Sequence, residues 1–325
     1  MHALIHQLAR RFRLGGEGAE RLWALSRLHR KPDELGLYLY RTLAVLAALL
    51  LGAGLIFWVA ANWQDQTRAF KLHLLEGAVL ASALAAMWLP RLRTACLLLA
   101  TLALGGLLAF VGQTYQTGAD AWQLFVAWAA LALAWALAAR RDGLWAAWIL
   151  IAGLALALWS GDALLNPLQT LLTGRQARSL LTPALWCVVF LLPLALPRLK
   201  LLAGSGSAAP ISWRLAALLA LSAWCTYALF GLIAKGEAWQ YFLNALLVAG
   251  AGALAWARRP RDFVVLALAV LAVNVLVIGG MARVLLEGMR GDGVGVFLLL
   301  TLIAAGCVGA SGTWLYRLQR EEAAQ

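Results

Sequence analysis

His73 stands three residues ahead of Glu76 in the segment KLHLLEGAVL, a spacing that puts imidazole and carboxylate on one side of a helix. Glu76 is the only carboxylate placed inside an apolar run of spanning length. Burial in hydrocarbon disfavours its charge, so a Glu at such a place marks either a proton-sensitive site or a polar joint between helices. His2, His6 and His29 lie near the N-terminus, which leaves His73 as the sole histidine for chemistry inside a membrane. One His and one Glu are too few to hold a metal. The chain also lacks an HExxH, a phosphate-cradling Gly-Lys-Ser/Thr loop, a G-x-S-x-G and a Cys/His cluster. No catalytic residue, metal or cofactor is therefore expected, and the pattern favours a non-enzyme without closing the question.

Two polar stretches flank this pair. AANWQDQTRAFK supplies Asn62, Trp63, Gln64, Asp65, Arg68 and Lys71, and GQTYQTGAD supplies Gln113, Thr114, Tyr115, Gln116, Thr117 and Asp120. If the helices on either side pack as consecutive neighbours, the two stretches meet above Glu76. They would form an outward pocket of amides, hydroxyls and aromatic rings, suited to a neutral polar ligand such as a sugar or a lipid headgroup. The competing reading is that Trp and Tyr are interfacial anchors and that any hairpin needs a short polar loop.

The elements that must carry these residues are legible from composition. Of 325 residues 63% are hydrophobic and only 13% charged, more apolar surface than a soluble core can use. Period-two alternation is absent and uninterrupted Leu/Ala/Val/Trp runs recur, so the expected fold is all-α, a polytopic transmembrane helical bundle of about ten spans. The runs are 42–61, 72–89, 94–111, 121–139, 144–159, 180–196, 215–233, 239–257, 263–281 and 294–316. The segment SGDALLNPLQTLLTGRQARS reads as a short interfacial or re-entrant helix. Cys96, Cys187, Cys225 and Cys307 are far apart, each in or beside an apolar run, and read as packing residues. Asn244 and Asn274 read as glue between helices.

A net charge of +12 would suggest nucleic acid in a soluble chain; here its distribution is a topology signal. Assigning connections to alternate sides puts 20 of the 27 Lys and Arg on the side of the termini. The positive-inside rule then places both termini in the cytoplasm. Glutamines show the opposite bias. Residues 1–41 read as a basic cytoplasmic helical hairpin near anionic lipid. Residues 42–197 form a first bundle half with the two polar outer loops, 198–214 a Gly/Ser-rich linker, and 215–325 a second half with a short tail. LPRL at 89–92 and 196–199, AWQ at 121–123 and 238–240, and RRD at 140–142 against RRPRD at 258–262 recur four spans apart. A parallel duplication of spans 2–5 and 6–9 would produce that echo.

The pair FWVAANWQDQTRAFKLHLLE and GGLLAFVGQTYQTGADAWQLFVAW resembles the bacterial membrane-protein family defined by domain of unknown function 2157. Ala61, Asn62 and Trp63 match its first motif. Gly112, Gln113, Tyr115, Gly118 and Asp120 match its second, with Ala119 inserted before the Asp. The resemblance covers roughly the first 160 residues. It implies a membrane protein with no established activity, and relatives encoded beside or fused to other membrane proteins hint at a heteromeric assembly. Three functions stand open: a transporter or binding protein for an envelope small molecule, lipid or glycan; a non-catalytic scaffold or subunit; and, third, an integral-membrane enzyme whose general acid/base work would rest on Glu76, Asp65 and Asp120 without a visible nucleophile or metal. Expected partners are membrane lipids and another membrane or periplasmic protein.

Overall fold

The computed structural model describes residues 11–12, 15–25, 35–115, 118, 120–161, 181–202, 210–233, 238–259, 261–288 and 293–324. Among them the chain is helical, with no strand. The helices are α1 Gly16–Leu25, α2 Leu35–Ala61, α3 Arg68–Trp88, α4 Arg93–Tyr115, α5 Ala121–Ala139 and α6 Asp142–Trp159. There follow α7 Leu181–Ala195, α8 Pro210–Ile233, α9 Ala238–Ala257, α10 Phe263–Gly288 and α11 Gly293–Ala324. Of the expected N-terminal hairpin, 1–41, residues 11–12, 15–25 and 35–41 are described, with 35–41 belonging to α2, and the expected short helix in 160–179 lies outside the described residues beyond 161.

Among the described residues nine helices are long and apolar enough to cross a membrane, and α7 is a shorter apolar helix. Its 15 residues rise only about 22 Å, less than a hydrocarbon core. Packing nonetheless shows that the chain crosses there. Asp142 at the start of α6 accepts hydrogen bonds from the start of α8, and Ser160 just after α6 meets Tyr227 late in α8. Helices α6 and α8 are therefore parallel, and the chain has crossed back between them. The Trp224 indole of α8 points to the Pro183 carbonyl early in α7. Trp145 of α6 donates to Leu201 O just beyond α7. The path also gains a further turn, closed where the Leu201 and Lys200 amides donate to Leu196 O and Pro197 O around a left-handed Lys200.

Two helices act as hubs. α4 packs on α2, α3, α5 and α6, while α8 packs on α6, α7, α9 and α10; α11 rests on α10. Small residues let partners approach each hub. A Cβ on Gly105 of α4 would lie 2.4 Å from the Trp128 ring, and one on Gly106 would lie 2.9 Å from Ile56. In α8, Ala216, Ala217, Ala220 and Ala228 are fully buried. Tryptophan does more than anchor at the interface. The Trp128, Trp145 and Trp148 indoles each donate to a main-chain carbonyl outside their own helix, at 2.8–3.1 Å. Such a bond satisfies the polar handle of a ring whose body fills an interhelical gap. Asn274 of α10 donates to Ser311 of α11, as glue between helices.

The ends of the helices sort by chain direction into two groups. One, the amide end, gathers the connections after α2, α4, α6, α8 and α10. The other, the basic end, gathers those after α3, α5, α7 and α9 and the end of α11.

Candidate functional site

The amide end of the first half holds the residues singled out above. Helix α2 ends at Ala61, where the Asn62 side chain and amide both donate to Trp58 O, so Asn62 caps the helix. Thr67 caps the next helix by accepting the Phe70 amide. Between these caps Trp63 folds back on the bundle, its ring edge-on to Phe110 of α4 at 5.6 Å. Lys71 of α3, only 2% exposed, lays its ammonium 4.6 Å from the Trp63 ring centre and donates to Trp63 O at 2.5 Å. Carbonyl and ring face together satisfy a cation held away from water. Sequence reasoning placed Lys71 in this stretch without giving it a role. The signal that could have found it is its position four residues before Leu75, on the face that α3 buries.

Helical phase decides which side chains reach that cluster. Lys71, Leu75, Ser82 and Ala86 form the buried face of α3, and Leu75 packs with Val59 and Phe110. His73 is turned about 160° from the centre of that face and Glu76 about 110°. Their side chains are 74% and 45% exposed, and His73 Nδ1 lies 3.1 Å from a Glu76 oxygen. The pair expected at the floor of a pocket thus stands on the outside of α3, with Lys71 and Leu75 beneath Trp63 instead.

The second polar stretch is also shorter than expected. α4 continues through Tyr115, so Gln113 and Tyr115 stand exposed on its last turn rather than in a loop. Nothing in Gly112–Tyr115 stops the helix. Gly118, in left-handed backbone, belongs to the turn. Asp120 precedes α5 and accepts the Trp122 indole at 3.3 Å. Gln64, Asp65 and Arg68 are exposed, and Gln116 lies outside the described residues. Trp63 and Phe110 therefore join the two motif stretches, while Glu76, His73 and Asp120 do not enter their contact. Among the described residues, no three of His, Cys, Asp and Glu gather in a metal-binding group.

Fold and site together define a multi-pass α-helical membrane protein. Residues 6–145 match the family model described as predicted membrane protein (DUF2157), the family anticipated from the two loop motifs. The match runs from the N-terminal segment to the first turn of α6, and so includes the Trp63–Lys71–Phe110 cluster and the His73–Glu76 pair. No curated protein and no solved structure matches the chain.

Proposed function

We propose that the protein is a non-catalytic subunit of a bacterial inner-membrane assembly, with both termini in the cytoplasm, and that α3 docks a transmembrane helix of a different protein. The observation that carries this reading is the His73–Glu76 pair on the outer surface of a span. Glu76 lies eight residues into α3, about 12 Å along a helix about 31 Å long. An ionisable pair facing lipid at that depth is costly, and a polar group on a neighbouring helix relieves the cost. His73 continues into Leu80, Leu84 and Met87, an exposed stripe along the same helix.

The test is photo-crosslinking in native membranes from a probe at Leu80, compared with one at Leu218, which is exposed on α8. The expected product is one protein adduct of a mass other than a dimer of this chain, formed from position 80 only and lost in Glu76→Leu. Lipid adducts alone, or only the dimer, would refute the reading. Topology is checked separately by reporter fusions at both termini, with cytoplasmic signal expected from each.

One observation favours a second reading, binding of a neutral polar envelope molecule. Trp63, part-exposed over the buried Lys71, presents an aromatic surface, with Tyr115 exposed on the final turn of the adjacent α4. A small molecule retained on gentle purification and lost in both Trp63→Ala and Tyr115→Ala would select that reading.

A further inference from the structure

We propose that a cavity at the basic end of the second half binds a phosphate-bearing anion. The cavity, about 410 Å³, opens where the end of α7 meets the start of α8, the end of α9 and the start of α10. That volume lies within the usual range for small-ligand sites. Four guanidinium groups line it: Arg214, Arg258, Arg259 and Arg261.

Two carboxylates offset these four cations. Arg214 spends only its Nε on Asp262, at 2.9 and 3.2 Å. Arg259 and Arg261 share a single Glu322 oxygen, at 3.1 and 2.5 Å. Arg258 makes no ion pair among the described residues, and its guanidinium lies 5.5 Å from the Trp213 ring centre. Two positive charges are left over around a recess at the helix ends, where the side chains of Arg258 and Arg259 are exposed and can meet an anion. Planar guanidinium groups with unused N–H donors match phosphate oxygens.

The walls are held in place before any ligand arrives. Trp213 packs on Phe190 with ring centres 4.7 Å apart, and Asp142 caps the start of α8 through Ile211 and Ser212. Arg261 lies over Trp256, which stacks on Trp314 of α11. Such preorganisation lowers the cost of binding. The site carries further apolar lining from Pro193, Pro197 and Phe263. Its level, at helix ends, is where phospholipid headgroups lie, and basic recesses between spanning helices suit them. A phospholipid headgroup and free phosphate share the chemistry, and the experiment separates them.

The full chain in neutral detergent is titrated with phosphatidylglycerol, phosphatidylcholine or inorganic phosphate and followed by native mass spectrometry. One phosphatidylglycerol is expected to be retained saturably, in preference to phosphatidylcholine. Arg258→Gln should weaken it roughly tenfold, the loss of one charge-assisted hydrogen bond. Arg140→Gln, a basic-end arginine outside the cavity, should leave it unchanged. Inorganic phosphate that binds with the same dependence on Arg258 and displaces the lipid would assign the site to a soluble phosphate. If Arg258→Gln does not fold, exposed Arg259→Gln carries the same expectation. Equal retention of the two lipids without an effect of phosphate, or binding indifferent to the cavity substitutions, would overturn the proposal.

Discussion

Helices α3–α6 and α7–α10 trace nearly the same pattern of neighbours with different contents. In each set the second helix is the hub: α4 touches α3, α5 and α6, and α8 touches α7, α9 and α10. The preceding helix adds to both, since α2 packs on α4 as α6 packs on α8. The sequence echoes fall at matching places. LPRL follows α3 and α7, AWQ opens α5 and α9, and Asp142 and Asp262 stand at the starts of α6 and α10. The interiors differ. The first half closes around glycines of α4, against which Trp128 lies, whereas the second closes around alanines of α8 with Trp186, Phe190 and Trp224. The polar features lie at opposite ends, Lys71 and Trp63 at the amide end of one, the arginine cavity at the basic end of the other. One packing scheme has thus been filled in two ways.

The sharpest way to break the comparison is at the glycines. Gly105→Ala drives a methyl into the Trp128 ring, itself tied to Thr101 O, and should cost about 1–3 kcal/mol or more. Gly279→Ala meets the tip of a Leu229 side chain, which can rotate aside, and should cost less than about 1 kcal/mol. Unfolding of each variant in mixed detergent measures both, and equal costs would show that the two hubs tolerate crowding alike.

Next come the paired aspartates, which converge on the start of α8. Asp142→Ala removes acceptors for the Ile211 and Ser212 amides and the Ser212 hydroxyl, an expected loss of about 1–2 kcal/mol. Asp262→Asn weakens a pair with half-exposed Arg214 and should cost roughly 0.5–1 kcal/mol in the same assay. Reversal of that order would mean the ion pair, not the cap, sets the start of α8.

Smaller effects sharpen the contrast between the two ends. Trp63→Leu strips the ring from Lys71 and Phe110 and should cost about 1 kcal/mol, read by the same unfolding curve. Asn274→Ala breaks a single hydrogen bond to Ser311 and should cost roughly 0.6 kcal/mol, near the average for such bonds between spanning helices.

Sequence by itself determined the apolar spanning helices, the alternation of ends and the first polar loop, because bilayer thickness sets a length that hydropathy reports along one dimension. It placed AWQ at helix starts and, in Asn62 and Trp63, the turn that closes α2. It did not determine which face each helix buries. Apolar residues lie on every side of α3, so the pattern carries little phase, and only packing put Lys71 inward and His73 and Glu76 outward. It also could not join residues distant along the chain. Arg214 lies in α8, Arg258 just beyond α9 and Asp262 just before α10, and their shared recess exists only once α7 to α10 have packed. Charge counting had assigned these arginines to topology, which is what a one-dimensional signal can see; tertiary structure decided that Arg214, Arg258, Arg259 and Arg261 would line one cavity.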